Sequence, residues 1–154
     1  KNGDIAEIDK WVFKRLVDDA RYIYMLTGEG VNISFNVSTN SFLEDDFLDN
    51  LSAIFDFTTD FNSKFEMELT EYSSIKNIKK TINNMQKLKD MGFQISLDDF
   101  GMGYASLSYL RELPIDCIKI DKSFIDELDI DKKTTIMIDG ILYLAKNLGL
   151  KTVA

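Results

Sequence analysis

Apolar and polar positions follow two different periods along this chain, and the periods take turns. From residue 4 to 27 apolar side chains return at helical spacing (Ile5, Ile8, Trp11, Val12, Leu16, Ile23), with Asp4 placed to cap the start and Gly28 to stop the helix. Val31 to Val37 changes to a two-residue period and predicts a strand, and Phe42 to Phe57 returns to one amphipathic helix. A strand over Phe65 to Thr70, a helix over Ile75 to Met91 ended by Gly92, and a strand over Phe93 to Asp99 follow. Beyond a glycine-bearing loop the pattern predicts a short helix over Ala105 to Arg111, a passage through Pro114 and a strand over Cys117 to Asp121. A helix over Lys133 to Leu148, stopped by Gly149, leads into a strand beginning at Lys151 to Ala154. No linker, low-complexity tract or charge block divides the chain, so residues 1–154 read as a single domain.

Strands separated by single helices imply parallel βαβ units with right-handed crossovers. The strand faces then choose between an open doubly wound sheet and a closed (β/α)8 barrel. Phe65, Met67 and Leu69 take one face of their strand, and Glu66, Glu68 and Thr70 take the other. Ile33, Phe35 and Val37 oppose Ser34, Asn36 and Ser38; Ile95 and Leu97 oppose Ser96 and Asp98; Ile118 and Ile120 oppose Lys119 and Asp121. A doubly wound sheet is covered on both faces and its strands are nearly continuous in apolar residues. A barrel covers only the outside and lets polar groups converge at the C-terminal mouth. The reading is therefore an α/β fold, a partial (β/α)8 TIM-type barrel of about five parallel strands with outer helices. An antiparallel sheet with one wet face would alternate as well, but the intervening helices argue against it.

Composition narrows the chemistry. The 154 residues include no His and one Cys, Cys117, which excludes imidazole relays, His-ligated zinc, an internal disulfide and a CxxC pair. With 26 acidic against 18 basic residues and a net charge of −8, broad binding to DNA, RNA or an anionic membrane is not expected. No apolar run reaches the roughly 18 residues of a membrane span, and no signal-peptide pattern opens the chain, so a soluble cytoplasmic protein is expected. Hard oxygen donors favour Mg, Mn or Ca as the default cation.

Asn36, Glu68, Asp98, Lys119 and Asp121 all fall on the polar strand faces and are expected to point into one mouth. Glu68 and Asp98 offer anionic oxygens and Asn36 a neutral one. Asp99 and Asp121 have the right chemistry for a second ion about 3.5 to 4 Å from the first, an arrangement suited to in-line phosphoryl displacement. Lys119, two residues before Asp121, would orient or deprotonate the attacking water or neutralise charge on the reacting phosphate. Taken singly, each residue also has a structural reading: paired Asp residues cap helices, and a strand Lys is often a solvated edge. As a set they favour function, because gathered like charges repel unless a cation compensates them.

The run Asp98-Asp99-Phe100-Gly101-Met102-Gly103-Tyr104-Ala105-Ser106-Leu107-Ser108-Tyr109-Leu110, then Leu113-Pro114-Ile115-Asp116 and Lys119-Ile120-Asp121-Lys122-Ser123-Phe124, resembles the EAL-domain family. Upstream, Asn36-Val37-Ser38 and Glu68-Leu69-Thr70-Glu71 are similar to its asparagine and glutamate motifs in order and spacing, so the resemblance covers essentially the whole chain. Members of the family are cyclic di-GMP phosphodiesterases. The resemblance implies Asn36, Glu68 and Asp98 as ligands of a first Mg or Mn ion, and Asp99 and Asp121 as serving a second ion and the attacking water. It implies Lys119 as the proposed base, Glu71 as the anchor of the loop Phe100 to Ser106, and Gly101 and Gly103 as its turning points. Glu71 has a plainer reading as a charge at a helix N-terminus.

The departures shape the expectation. The family's Glu-Ala-Leu motif would precede this chain, a further site glutamate would follow Ala154, and a full barrel needs about 250 residues. Met102 and Ala105 stand where the family usually has Thr and Ser. The chain is thus expected to be an internal part of an EAL domain, inactive by itself, whose parent hydrolyses cyclic di-GMP to linear pGpG. That parent is expected to be a homodimer or to carry sensory or diguanylate-cyclase-like domains. The alternatives are a non-catalytic EAL domain that binds cyclic di-GMP or a protein partner, and, more remotely, a receiver-like flavodoxin fold.

Overall fold

The computed structural model describes residues 3–55, 63–71, 77–101, 110–128 and 130–154. The elements in chain order are α1 (Gly3–Thr27), β1 (Asn32–Asn36), α2 (Thr39–Phe42), α3 (Phe47–Phe55), β2 (Lys64–Thr70), α4 (Ile78–Asp90), β3 (Gln94–Phe100), β4 (Cys117–Ile120), α5 (Lys122–Asp126), α6 (Lys132–Leu148) and β5 (Lys151–Val153). The five strands are parallel and lie in the order β1-β2-β3-β4-β5. A doubly wound sheet reverses its order at a switch point. An unreversed order, with crossovers of one hand, keeps the helices on a single face, and an arc of a barrel results.

That covered face holds the core. Phe35, Phe65, Met67, Leu69, Ile95, Leu97 and Ile118 project from alternate strand positions and are buried with Phe13, Val17 and Ala20 of α1, Met85 and Leu88 of α4 and Ala145 of α6. Phe13 is the hub: its ring centroid lies 5.1 Å from that of Phe35 and 5.7 Å from those of Phe65 and Phe93. Tilted contacts at this spacing suit the aromatic quadrupole and tie α1 across the first three strands.

Several local expectations need correction. The start of α1 is not a cap at Asp4, which lies inside the helix. Its buried face is Phe13, Val17 and Ala20, whereas Ile5, Ile8, Trp11 and Ile23 are exposed, because α1 carries apolar residues on two sides and the aromatic hub selects one. The single helix expected over Phe42 to Phe57 is two. Ser38 caps the short α2 by accepting from the Ser41 N–H, and Leu43 ends it in a bridge conformation (φ −94°, ψ 2°) before α3 begins at Phe47. α4 starts after Asn77, whose side chain accepts from the Lys80 N–H, rather than at Ile75. The helix expected over Ala105 to Arg111, with Met102 and Gly103, falls largely or wholly outside the described residues.

At the N-terminal ends of the strands, Asp116 knits four elements. Its carboxylate accepts the Ile95 N–H at 2.9 Å and pairs with Lys89 at the end of α4. Its own N–H donates to the Ile95 carbonyl at 2.8 Å, and its carbonyl accepts from Lys151 at 2.9 Å. This end of the sheet is therefore fixed, and the opposite, C-terminal end carries the polar mouth.

Candidate active site

Parallel pairing sets the polar residues side by side. Asn36 is opposite Glu68, Glu68 opposite Ser96, and Thr70 opposite Asp98, so β1, β2 and β3 present one polar row at their C-terminal ends. Lys119 of β4 lies opposite Val153 of β5. Exposure is graded along the row: Glu68 is buried, with 7% of its surface accessible, Asp98 and Lys119 are half-buried, and Asn36 is open to solvent.

The Glu68 carboxylate does not stand alone. The Lys119 ammonium forms an ion pair with its Oε1. Burial works against the lysine's charge, but the hydrogen bond and attraction of Glu68, helped by Asp98 and Glu66, outweigh it and raise the Lys119 pKa above its ordinary value. Beneath this pair Ser96 is fully buried, and among the described residues its hydroxyl has no hydrogen-bond partner. Cys117, paired with Ser96 in register, is buried, and burial with the nearby Glu66 charge pushes its thiol pKa up, which makes it inert.

The Asp98-Asp99 pair is shaped by a β-bulge. Leu97 pairs with Ile118 and Phe100 with Ile120, so two residues of β3 oppose the single Lys119 of β4. The extra residue is accommodated at Asp99, a non-glycine residue in left-handed backbone with φ 54°. In a regular strand successive side chains point to opposite faces; the bulge breaks that rule at the consecutive carboxylates Asp98 and Asp99. Asp99 responds to its neighbours: partial desolvation, then the charges of Asp98 and Asp121, raise its pKa.

Asp121 is not the last strand residue but the cap of α5, an element the hydrophobic pattern did not predict. Its Oδ1 accepts the Ser123 N–H at 2.8 Å and also the Ser123 hydroxyl, and these bonds hold its pKa below the ordinary value. Glu71, 3% exposed, lies just beyond β2 and reaches across to accept the Gly101 N–H at 2.9 Å. Gly101 has φ 108°, and a Cβ there would come within 2.7 Å of the Phe124 ring. Only glycine fits both demands.

The sequence-predicted residues are thus brought to one end of the sheet, but they are not gathered into a finished cage. Among the described residues no three acidic, His or Cys side chains stand close enough to hold an ion. Lys119 engages Glu68 and Ser123 engages Asp121, so internal donors take the carboxylate oxygens. The oxygen set still suits a hard divalent cation, with carboxylates on Glu68 and Asp98 and an amide oxygen on Asn36, and the Lys119 ammonium now pairs with the Glu68 carboxylate that such a cation would use. Ser96, Ser123 and Phe124 were not singled out as site residues, although Ser96 shares the polar parity of Asp98 and Ser123-Phe124 close the motif that begins at Lys119.

Comparison with known proteins follows this geometry. The EAL domain family model matches residues 1–154, and the chain belongs to that family. It is 32% identical over 153 residues to "Cyclic di-GMP phosphodiesterase NbdA" of Pseudomonas aeruginosa, covering 99% of this chain and 20% of that protein. It is 32% identical over 154 residues to "Probable cyclic di-GMP phosphodiesterase PdeG" of Escherichia coli, covering 100% of this chain and 30% of that protein. Among solved structures, the phosphodiesterase PaMucR in complex with c-di-GMP superposes with a TM-score of 0.86 at 29% identity, covering 97% of this chain and 61% of that one. The EAL domain of Mycobacterium smegmatis DcpA gives a TM-score of 0.82 at 28% identity, covering 95% and 66%. The chain therefore spans 20–30% of the length of the curated relatives quoted, and 61–66% of the solved chains.

Proposed function

We propose that this chain contributes the central strands of a cyclic di-GMP phosphodiesterase domain, hydrolysing cyclic di-GMP to linear pGpG with two Mg or Mn ions. The observation that carries the reading is the buried Glu68 carboxylate at the C-terminal end of β2, facing Asn36 in register and neutralised by Lys119. A carboxylate at that depth without positive charge would be costly, so the position is made for a cation. Asn36, Glu68 and Asp98 would hold the first ion, and Asp99 and Asp121 the second.

Divalent ions in such a site neutralise phosphate oxygens and lower the pKa of water. The chain's own groups do the rest. Lys119, on the same face as Glu68 and Asp98, would contact the attacking water or the scissile phosphate. Water adds its oxygen to phosphorus and gives up one proton, one ring P–O bond breaks, and the departing ribose oxygen takes up one proton, leaving a linear dinucleotide with a terminal phosphate. Asp99 and Asp121 orient the water from the bulge and the α5 cap, and Glu71 keeps the loop after Phe100 in place through Gly101. The reading includes a parent that is a homodimer or carries sensory or diguanylate-cyclase-like domains, with this domain on the cytoplasmic side whether or not the parent is anchored in a membrane. The 154 residues alone turn over little substrate, since an arc open to water screens every charge in the mouth.

A second reading is a domain that binds cyclic di-GMP or a protein without cleaving, favoured by the internal pairing of Glu68 with Lys119. Turnover of cyclic di-GMP by the full-length parent with Mn2+, compared with Asp98→Ala, separates the two. Product from the parent and none from the variant supports hydrolysis; binding with no product in either supports the second reading; equal turnover by both removes Asp98 from the site.

A further inference from the structure

The left-handed backbone at Asp99 is an unfavourable conformation for a residue with a side chain, and such strain persists only where the surroundings over-determine it. The surroundings are two residues away. Gly101 is gripped from one side by the Glu71 carboxylate, which accepts its N–H at 2.9 Å, and from the other by the Phe124 ring, whose edge would lie 2.7 Å from a Cβ at that position. Phe124 in turn belongs to α5, the helix capped by Asp121, and its N–H donates to the Asp121 carbonyl at 3.1 Å. The Asp121 N–H donates to the Phe100 carbonyl at 3.3 Å. These contacts close a circuit through Phe100, Gly101, Phe124 and Asp121, and Asp99 is the residue by which β3 enters it.

We infer that Phe124 is a positioning residue that locks the β3 bulge and thereby fixes the separation of Asp99 and Asp121. The inference rests on the reading of these two carboxylates as holders of a second ion and adds the element that keeps them in register. Among the described residues the Phe124 ring is what occupies the α5 side of Gly101, and without it Asp99 relaxes toward ordinary strand backbone. That relaxation turns its carboxylate away from Asp121, because a regular strand directs successive side chains to opposite faces. Glu68, Asp98 and Asn36 belong to strand positions before the bulge and stay where they are.

The test is carried out on the full chain with Phe124→Ala, Phe124→Leu and Phe124→Tyr. The backbone 13C shifts of Asp99 report its conformation without any ion present, and calorimetric titration with Mn2+ reports stoichiometry and affinity. In Phe124→Ala the Asp99 shifts are expected to leave the left-handed range, and the weaker Mn2+ site to lose about 10- to 100-fold in affinity while the tighter one is kept. Phe124→Leu, which keeps an apolar group but no ring, is expected to show the same change in smaller measure and serves if the Ala variant does not fold. Phe124→Tyr keeps the ring and is expected to behave like the unaltered chain. Asp99 shifts unchanged in both the Ala and Leu variants would overturn the inference. An unaltered chain that binds a single Mn2+ would overturn the two-ion reading, while the Asp99 shifts would still decide whether Phe124 locks the bulge.

Discussion

The Lys119 ammonium sits on the Glu68 carboxylate, joining the inner faces of β4 and β2 across the β3 strand that carries Asp98. Glu68 is buried and Lys119 half-buried, so the pair is shielded from solvent far more than a surface salt bridge. Removing one partner of such a pair leaves a desolvated charge, and that cost gives the relationship measurable consequences.

Lys119→Met should destabilise the metal-free chain by about 1–3 kcal/mol, the cost of an unpaired buried charge. At this chain length that is a fall in Tm of roughly 2–10 °C. The same variant should bind Mn2+ more tightly than the unaltered chain, since no ammonium competes for Glu68, and Mn2+ should restore most of the lost Tm. Thermal melts with and without Mn2+ check both halves. An identical Mn2+-induced shift in the two proteins would show that Lys119 and the cation do not share the carboxylate.

Asp99→Asn should raise Tm at neutral pH. The Asp99 pKa is raised in the folded chain by desolvation and by Asp98 and Asp121, so its ionisation costs folding energy. The sign follows: below the ordinary carboxylate pKa the acid is neutral in both folded and unfolded chains and the substitution changes little, and the gain grows as pH rises through the folded pKa. Asparagine also tolerates left-handed backbone. Because Asp99 is exposed, the gain is small, on the order of 1 °C. Melts at pH 3 and pH 7 test it; a gain at pH 3 that disappears at pH 7 would contradict it.

Asp116→Ala should lower stability by about 1.5–3 kcal/mol, because the carboxylate's bonds to the Ile95 N–H and to Lys89 are lost together. The site lies at the other end of the strands, so the Mn2+ affinity of the folded variant should be unchanged. Titration and melting of the same sample separate the two effects; a large loss of Mn2+ affinity would mean that the two ends of the sheet are coupled.

What the amino-acid pattern disclosed, and what it hid, divides along physical lines. The strands were legible because their two faces differ in chemistry: Phe65, Met67 and Leu69 against Glu66, Glu68 and Thr70 is a pattern only a one-sided sheet needs. Asn36, Glu68, Asp98 and Lys119 could be assigned to one face for the same reason. The bulge was not legible, because strict alternation sends Asp99 to the core face, and only the register shift beside Ile118 and Ile120 brings it back. Asp121 read as a strand residue because its capping bonds run to Ser123 only two positions on, too short a span for hydrophobic periodicity to register. α1 misled for the opposite reason: Ile8 and Trp11 form a convincing apolar stripe, yet Phe13 packs on three strand-end rings and takes the helix with it. The Lys119–Glu68 pair needed three-dimensional distances, since the two residues lie on strands that are not neighbours.

The most direct test of the account is calorimetric titration of the chain with Mn2+, alone and as Glu68→Gln. Glutamine keeps the shape of the side chain but removes the charge that makes the site a cation seat. Mn2+ is expected to bind the unaltered chain and not the variant. Equal binding by the two, or none by the unaltered chain, would contradict it.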